Sequence, residues 1–140
     1  MHRKISVAVA ATLTIAPVAV LAQDSMISVL FNKATEVFAG KGFAPTGWEQ
    51  TGELKQGAEQ RLTVKLTGGS GYTIVGVCDS DCKDMDIQLL DVSGAEVARD
   101  EEEDDFPIVE APASGTYTAR VAMVSCSASP CAFGVKAYRK

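Results

Sequence analysis

The sequence predicts a mainly β protein: an antiparallel β-sandwich, jelly-roll-like with about seven strands, preceded by one amphipathic α-helix. Three observations predict it. Apolar residues recur at helical spacing between Asp24 and Ala39. From Leu62 onward the period changes to two, in short runs separated by Gly-, Ser- and Pro-containing turns. Four cysteines form two close pairs, Cys78-x3-Cys82 and Cys126-x4-Cys131, each between two such runs.

The first 22 residues read as a leader. Met1-His2-Arg3-Lys4 is basic, Ile5 to Leu21 carries no charge, and Val20 and Ala22 put small side chains where a signal peptidase reads. A membrane anchor is the competing reading. The apolar run lies near the lower limit of about 17–25 residues for a bilayer span. Pro17 interrupts it, and polar Gln23-Asp24 follows at once. Cleavage after Ala22 leaves 118 residues, the size of one domain, with no integral membrane segment. That chain is expected in the periplasm or the medium, divided into a helix and linker (23–57) and a β-sandwich domain (58–140).

Asp24 or Ser25 can cap the helix by accepting hydrogen bonds from its first amides. Ile27, Leu30, Phe31, Ala34, Val37 and Phe38 form its apolar stripe, and Gly40 sits where it would stop. Ser28, Asn32, Lys33 and Glu36 fill the other face, which is not basic, so docking on a core is expected over membrane binding. Gly42 to Gly57 reads as a linker. Leu62, Val64 and Leu66 then alternate with Arg61, Thr63 and Lys65 in a strand with one wet face. Gly68-Gly69-Ser70-Gly71 is a turn, and apolar Tyr72 to Cys78 suits a sheet centre.

Ile87 and Leu89 mark the next strand, which Ser93-Gly94 turns into Glu96 to Arg99. Asp100 to Asp105 is six acids in a row and reads as loop. Pro107 to Ala111 is a short strand, at an edge because of the proline. Tyr117, Ala119, Val121 and Met123 line one face of a longer strand; Phe133, Val135 and Ala137 line one face of the last.

All four cysteines lie after the leader, and the one histidine, His2, lies within it. An even count in an exported chain reads as two disulfides rather than zinc, which wants a two-residue knuckle. Local pairing, Cys78–Cys82 and Cys126–Cys131, is favoured because each pair spans a loop. Crossed pairing stays open, since both loops could fall at one end of a sandwich.

Beyond the leader, 11 Lys and Arg stand against 18 Asp and Glu, a formal charge of −7. Such a chain repels phosphate, which excludes nucleic acid and anionic membrane. Twelve of those acids fall between Asp79 and Asp105, against only Lys83 and Arg99. The density suggests a solvated rim or a cation site. Calcium is the candidate cofactor: it takes about six to eight hard oxygens, and closely spaced aspartates supply them. Asp79, Asp81, Asp84 and Asp86 would begin the shell, with Asp100, Asp104 and Asp105 completing it if that loop folds back. The spacing is not that of an EF-hand, lacking its central glycine and terminal glutamate. Trp48, Phe106 and Tyr138 are the candidate aromatic binding face.

Read in order, Asp84-x-Asp86-x-x-Leu89-x-Asp91-x-x-Gly94, then Pro107, then Ala113-x-Gly115-x-Tyr117-x-x-Arg120-Val121 resembles the bacterial pre-peptidase C-terminal domain. The resemblance covers roughly residues 58–138 and implies a β-sandwich accessory module that binds a substrate or surface, or stabilises a catalytic neighbour. It also implies that acidic loops can hold calcium. The paired-cysteine loops resemble a stand-alone secreted variant. No protease domain precedes this module, and the helix is an element that the resemblance does not supply.

Catalysis is weighed by subtraction. Without histidine beyond the leader, no Ser-His or Cys-His pair can be built, and disulfides would occupy every thiol. No phosphate-cradling loop occurs. The expected function is therefore an exported non-catalytic binding or accessory module, with a protein or polysaccharide partner. The alternative is an envelope protein that docks a partner through its helix, and third comes a carboxylate-based hydrolase.

Overall fold

The computed structural model describes residues 18–140, with side chains from Met26 onward. The basic start and most of the apolar run assigned to the leader lie outside the described residues.

One helix precedes eight strands: α1 (Val18–Ala39), β1 (Ala44–Leu54), β2 (Glu59–Leu66), β3 (Tyr72–Cys78), β4 (Cys82–Leu90), β5 (Glu96–Asp100), β6 (Ile108–Ala111), β7 (Gly115–Cys126) and β8 (Cys131–Arg139). They form two four-stranded antiparallel sheets, ordered β1-β8-β3-β6 and β2-β7-β4-β5. This interleaved order is that of a jelly roll, as the strand pattern leads one to expect. The main core lies between the sheets, where Val64, Ile74, Met85, Ile87, Leu89, Val121, Met123, Phe133 and Val135 are all fully buried.

α1 makes a third layer on the outer face of the first sheet. Ile27, Phe31, Ala34 and Phe38 pack on Val75, Val77, Ala132 and Tyr138. This explains why β3 is buried on both faces. The docking is close because Gly134 of β8 carries no side chain; a Cβ there would lie 2.5 Å from Phe31 Cζ. Gly76 of β3 does the same inside the sandwich, 2.6 Å from Met85 Cε and 2.9 Å from Pro107 Cγ. Among the described residues, no helix is long and apolar enough to cross a membrane.

Two expectations need correction. Within the described residues the helix already runs from Val18, so Asp24 and Ser25 lie inside it and do not cap it. Val18 to Gln23 contains neither glycine nor proline, so nothing local breaks the helix before the expected cap. At the other end the helix stops at Ala39, as Gly40 led one to expect, and the backbone turns left-handed at Gly42 (φ 84°). The stretch read as linker is mostly β1, an edge strand paired with β8. Its side chains are largely exposed, so it lacks an apolar alternation, and its register shifts between Pro45 and Glu49. Trp48 packs on the main core and donates from Nε1 to the Thr63 carbonyl at 3.0 Å, closing the side of the sandwich between β1 and β2.

Candidate functional site

Both cysteine pairs lie at one end of the sandwich, and both close locally: Cys78–Cys82 and Cys126–Cys131. Cys82 stands opposite Cys126 in the β4–β7 register, which sets the two loops side by side. Asp79 ties them together. Its buried carboxylate accepts from the Asp81 and Cys82 amides at 3.1 and 3.3 Å through Oδ1, and from Ala132 N at 2.7 Å through Oδ2. The Asp81 carbonyl in turn accepts from Ser127 N at 2.8 Å. Gln56 buttresses the second loop, its Oε1 accepting from Cys126 N at 2.9 Å.

The acidic segment after β5 folds back toward this end. Asp100 Oδ1 accepts from Glu102 N and its Oδ2 from Ile108 N, which fixes the start of the loop and ties it to β6. Asp104 Oδ1 accepts from Phe106 N, and the Asp104 carbonyl accepts from Met85 N at 2.9 Å. Pro107 O accepts from Gly76 N at 2.9 Å. The loop is thus anchored to β3, β4 and β6 by backbone and turn bonds.

Beneath it, Asp84 and Asp86 project from β4 beside a register shift. Burial, and then the neighbouring Asp84 and Glu101 carboxylates, push Asp86 up to about 6. Burial first, then Glu103 and Asp104, raise Asp84 as well, while the hydrogen bond from Asp86 pulls it back. One oxygen of Asp84 is buried without a hydrogen-bond partner. The charges that shift the pair are all acidic, and protonation of one carboxyl relieves the repulsion.

The structure therefore divides the seven aspartates proposed as calcium ligands. Asp84, Asp86, Asp100 and Asp104 are brought into one acidic field. Asp79 and Asp81 belong to the loop brace, and Asp105 is exposed. Among the described residues, no group of three or more His, Cys, Asp or Glu is arranged to hold a metal ion. The aromatic set is dispersed too. Phe106 is exposed and Trp48 is half-buried at the side. Tyr138 is fully buried, stacked on Phe38 at 5.0 Å and hydrogen-bonded to Thr35, so it belongs to the helix dock and not to a binding face.

Residue-by-residue reading missed a polar chain across the outer face of the second sheet. Arg61, Arg120, Gln88 and Arg99 stand in one row across β2, β7, β4 and β5. Arg120 pairs with Glu59 and donates to Gln88 Oε1 at 3.1 Å; Gln88 donates to Glu96 at 3.3 Å, and Glu96 pairs with Arg99. The signal for it was the polar half of each alternating strand, which becomes a ladder only once the register is known.

At the other end, a cleft of about 580 Å³ is lined by Phe43, Thr73, Val97, Ala98, Glu110 and Lys140 among others. It offers one carboxylate and one amine, not the pair of carboxylates a glycoside hydrolase uses. No cysteine is free, and no histidine follows His2.

No protein-family model matches the chain, and no curated protein matches it. Among solved structures, it is similar to the periplasmic inhibitor of g-type lysozyme from Aeromonas hydrophila, PliG. That likeness has 17% identity and a TM-score of 0.41, over 64% of this chain and 84% of the other. At that level it says nothing of partner or activity.

Proposed function

We propose that this chain is an exported, non-catalytic binding module that takes a protein partner at its acidic, disulfide-braced end. One observation carries the reading: carboxylates of the segment after β5 stand on a loop pinned to β3, β4 and β6. Glu102, Glu103 and Asp105 are exposed and, among the described residues, have no ion pair. A fixed acidic rim steers and orients a cationic surface at little ordering cost. Two disulfides support an oxidising compartment.

The accessory role implied by the pre-peptidase C-terminal resemblance is compatible with this reading. The residues that carry the resemblance have structural tasks here. Tyr117 donates to the Ala113 carbonyl at 2.8 Å, and Asp91 Oδ1 accepts from Ser93 N and Ala95 N around the Gly94 turn. They speak for the sandwich rather than for a ligand. A partner bound through the helix finds less to hold, since Ile27, Phe31, Ala34 and Phe38 are spent on the chain's own sheet.

The test is capture of exported proteins on the immobilised chain, beside a variant carrying Glu102→Gln, Glu103→Gln and Asp105→Asn. A partner retained at low salt, released as salt rises, and lost on the variant supports the acidic end. Equal retention by both proteins would move the binding surface elsewhere.

A further inference from the structure

We propose that the flank of α1 turned toward β6, together with the outer side of β6, forms an apolar docking strip for a cationic amphipathic segment of a partner protein. Such docking rests on the function proposed above and adds the apolar half of that surface.

α1 lies over β8, with Ile27 and Phe31 above Gly134 and Phe38 stacked on Tyr138. Lys136 reaches both the Phe31 ring, at 5.3 Å, and the Glu49 carboxylate of β1, so Phe31 leans toward β1. Leu30 stands about 100° round the helix from Phe31. That puts it on the flank toward β3 and β6, where it packs against the core beneath the helix. Met26 lies one turn earlier on the same flank and is exposed. Ile27, Phe31, Ala34 and Phe38 are spent on the sheet; this neighbouring flank is not.

β6 supplies a second row. Ile108 stands opposite Val75, whose side chain belongs to the helix side of the sheet, so Ile108 faces the same way. Pro107 turns inward against Gly76, and Phe106 before it turns out again. Phe106 and Ile108 are both exposed, whereas Val75, between the two rows, is fully buried. The rows therefore make one surface.

Acids border it. Glu102, Glu103 and Asp105 precede Phe106 on the pinned loop, and Glu110 follows Ile108 on the same side of β6. All four are exposed, and none has an ion pair among the described residues. The cations nearby are engaged or marginal. Arg99 pairs with Glu96 and Glu101, and Lys83 donates to the Ser80 carbonyl at 2.8 Å. Lys33, a turn beyond Leu30, bounds the strip. A segment with an apolar face and basic edges complements both features, covering Met26, Phe106 and Ile108 while it pairs the acids.

The experiment is titration of the chain with two synthetic helices, followed by amide chemical shifts. One is built of leucine and lysine in amphipathic order; the other keeps the lysines and has alanine for every leucine. The leucine–lysine helix is expected to bind and to shift the amides of Leu30, Phe106 and Ile108. Replacing its leucines should weaken binding about tenfold or more, as should Met26→Gln with Phe106→Ser, or Glu102→Gln with Glu103→Gln and Asp105→Asn. Full binding to the Met26→Gln, Phe106→Ser variant with loss on the acid variant would overturn the docking strip and leave the acidic end standing. Indifference to the acid variant would sink both. If the wild type does not bind the leucine–lysine helix, the strip is overturned, and the capture experiment above still decides the function. Shifts at the same amides that grow with protein concentration, before peptide is added, would assign the strip to a second copy and overturn it as well.

Discussion

Gly134 of β8 and Phe31 of α1 compete for one space: a Cβ on the glycine would lie 2.5 Å from the ring's Cζ. The bare backbone at 134 is the seat on which the helix docks. Ile27 Cγ2, at 2.7 Å from the same point, shares it. Gly134→Ala is expected to cost about 1–3 kcal/mol by overpacking, and Phe31→Ala about 3 kcal/mol by leaving a cavity. Their double variant should cost less than the sum, since Ala at 31 makes room for the methyl. Urea denaturation of the four proteins checks this; strictly additive costs would mean that the two sites do not touch.

Asp79 gives a second prediction. Its carboxylate accepts three backbone amides, two in its own loop and one at the start of β8. Asp79→Ala strands those donors in a buried place, at about 1–3 kcal/mol for each one left unsatisfied. Asp79→Asn should cost less, because Oδ1 can still accept within the loop while the new NH2 group faces the Ala132 amide. The midpoint of thermal unfolding should therefore fall in the order wild type, Asn, Ala. Equal midpoints would show that the brace carries no stability.

These two sites mark what was legible in the sequence and what was not. The helix stripe and four inward-facing strand rows were legible because the apolar side chains each element turns to the core print a period on the chain. β1 was not, since an exposed edge strand containing Pro45, Gly47 and Gly52 has no apolar rhythm to print. Asp79 was read only as a candidate cation ligand, and its three amide bonds were not legible because composition does not distinguish the tasks a carboxylate can take. Tyr138 was read as exposed because its side of β8 is covered by α1, and nothing in the β8 stretch says where a helix 100 residues earlier will land. The close pairing of Asp84 and Asp86 was legible in their spacing; the loop that crowds them with further acids was only a conditional guess.

Calcium has a definite expected outcome. Asp79 accepts amides inside the loop brace, while Asp100 and Asp104 hold their own turns, so an ion would have to share these carboxylates with backbone amides. Thermal unfolding in chelator and across a calcium series should show no saturating rise. A ligand present at a hundredfold excess over Kd would raise stability by about 2.7 kcal/mol. A saturating rise that magnesium does not reproduce would mean that the loop rearranges to gather Asp84, Asp86 and its own acids around the ion.

The carboxylates also set a pH profile. Asp86 is pushed up to about 6 in the folded chain, mainly by burial and then by Asp84, against about 3.9 for an unfolded Asp. Between those values the folded state holds the proton more tightly, so stability falls as pH rises from about 4 to about 6, then levels. Asp84 acts in the same direction. Asp91 acts oppositely. Its hydrogen bonds from Ser93 and the Ala95 amide hold its carboxyl below the usual range, so its contribution is present above about 4 and is lost as pH falls further. No histidine follows His2, so no imidazole lies within the described residues. Thermal midpoints from pH 3 to 8 should peak between about 4 and 5. Asp86→Asn should flatten the decline toward neutrality, and Asp91→Asn the acid limb. A wild-type midpoint that rises from pH 4 to 6 would contradict the crowding of carboxylates over β4.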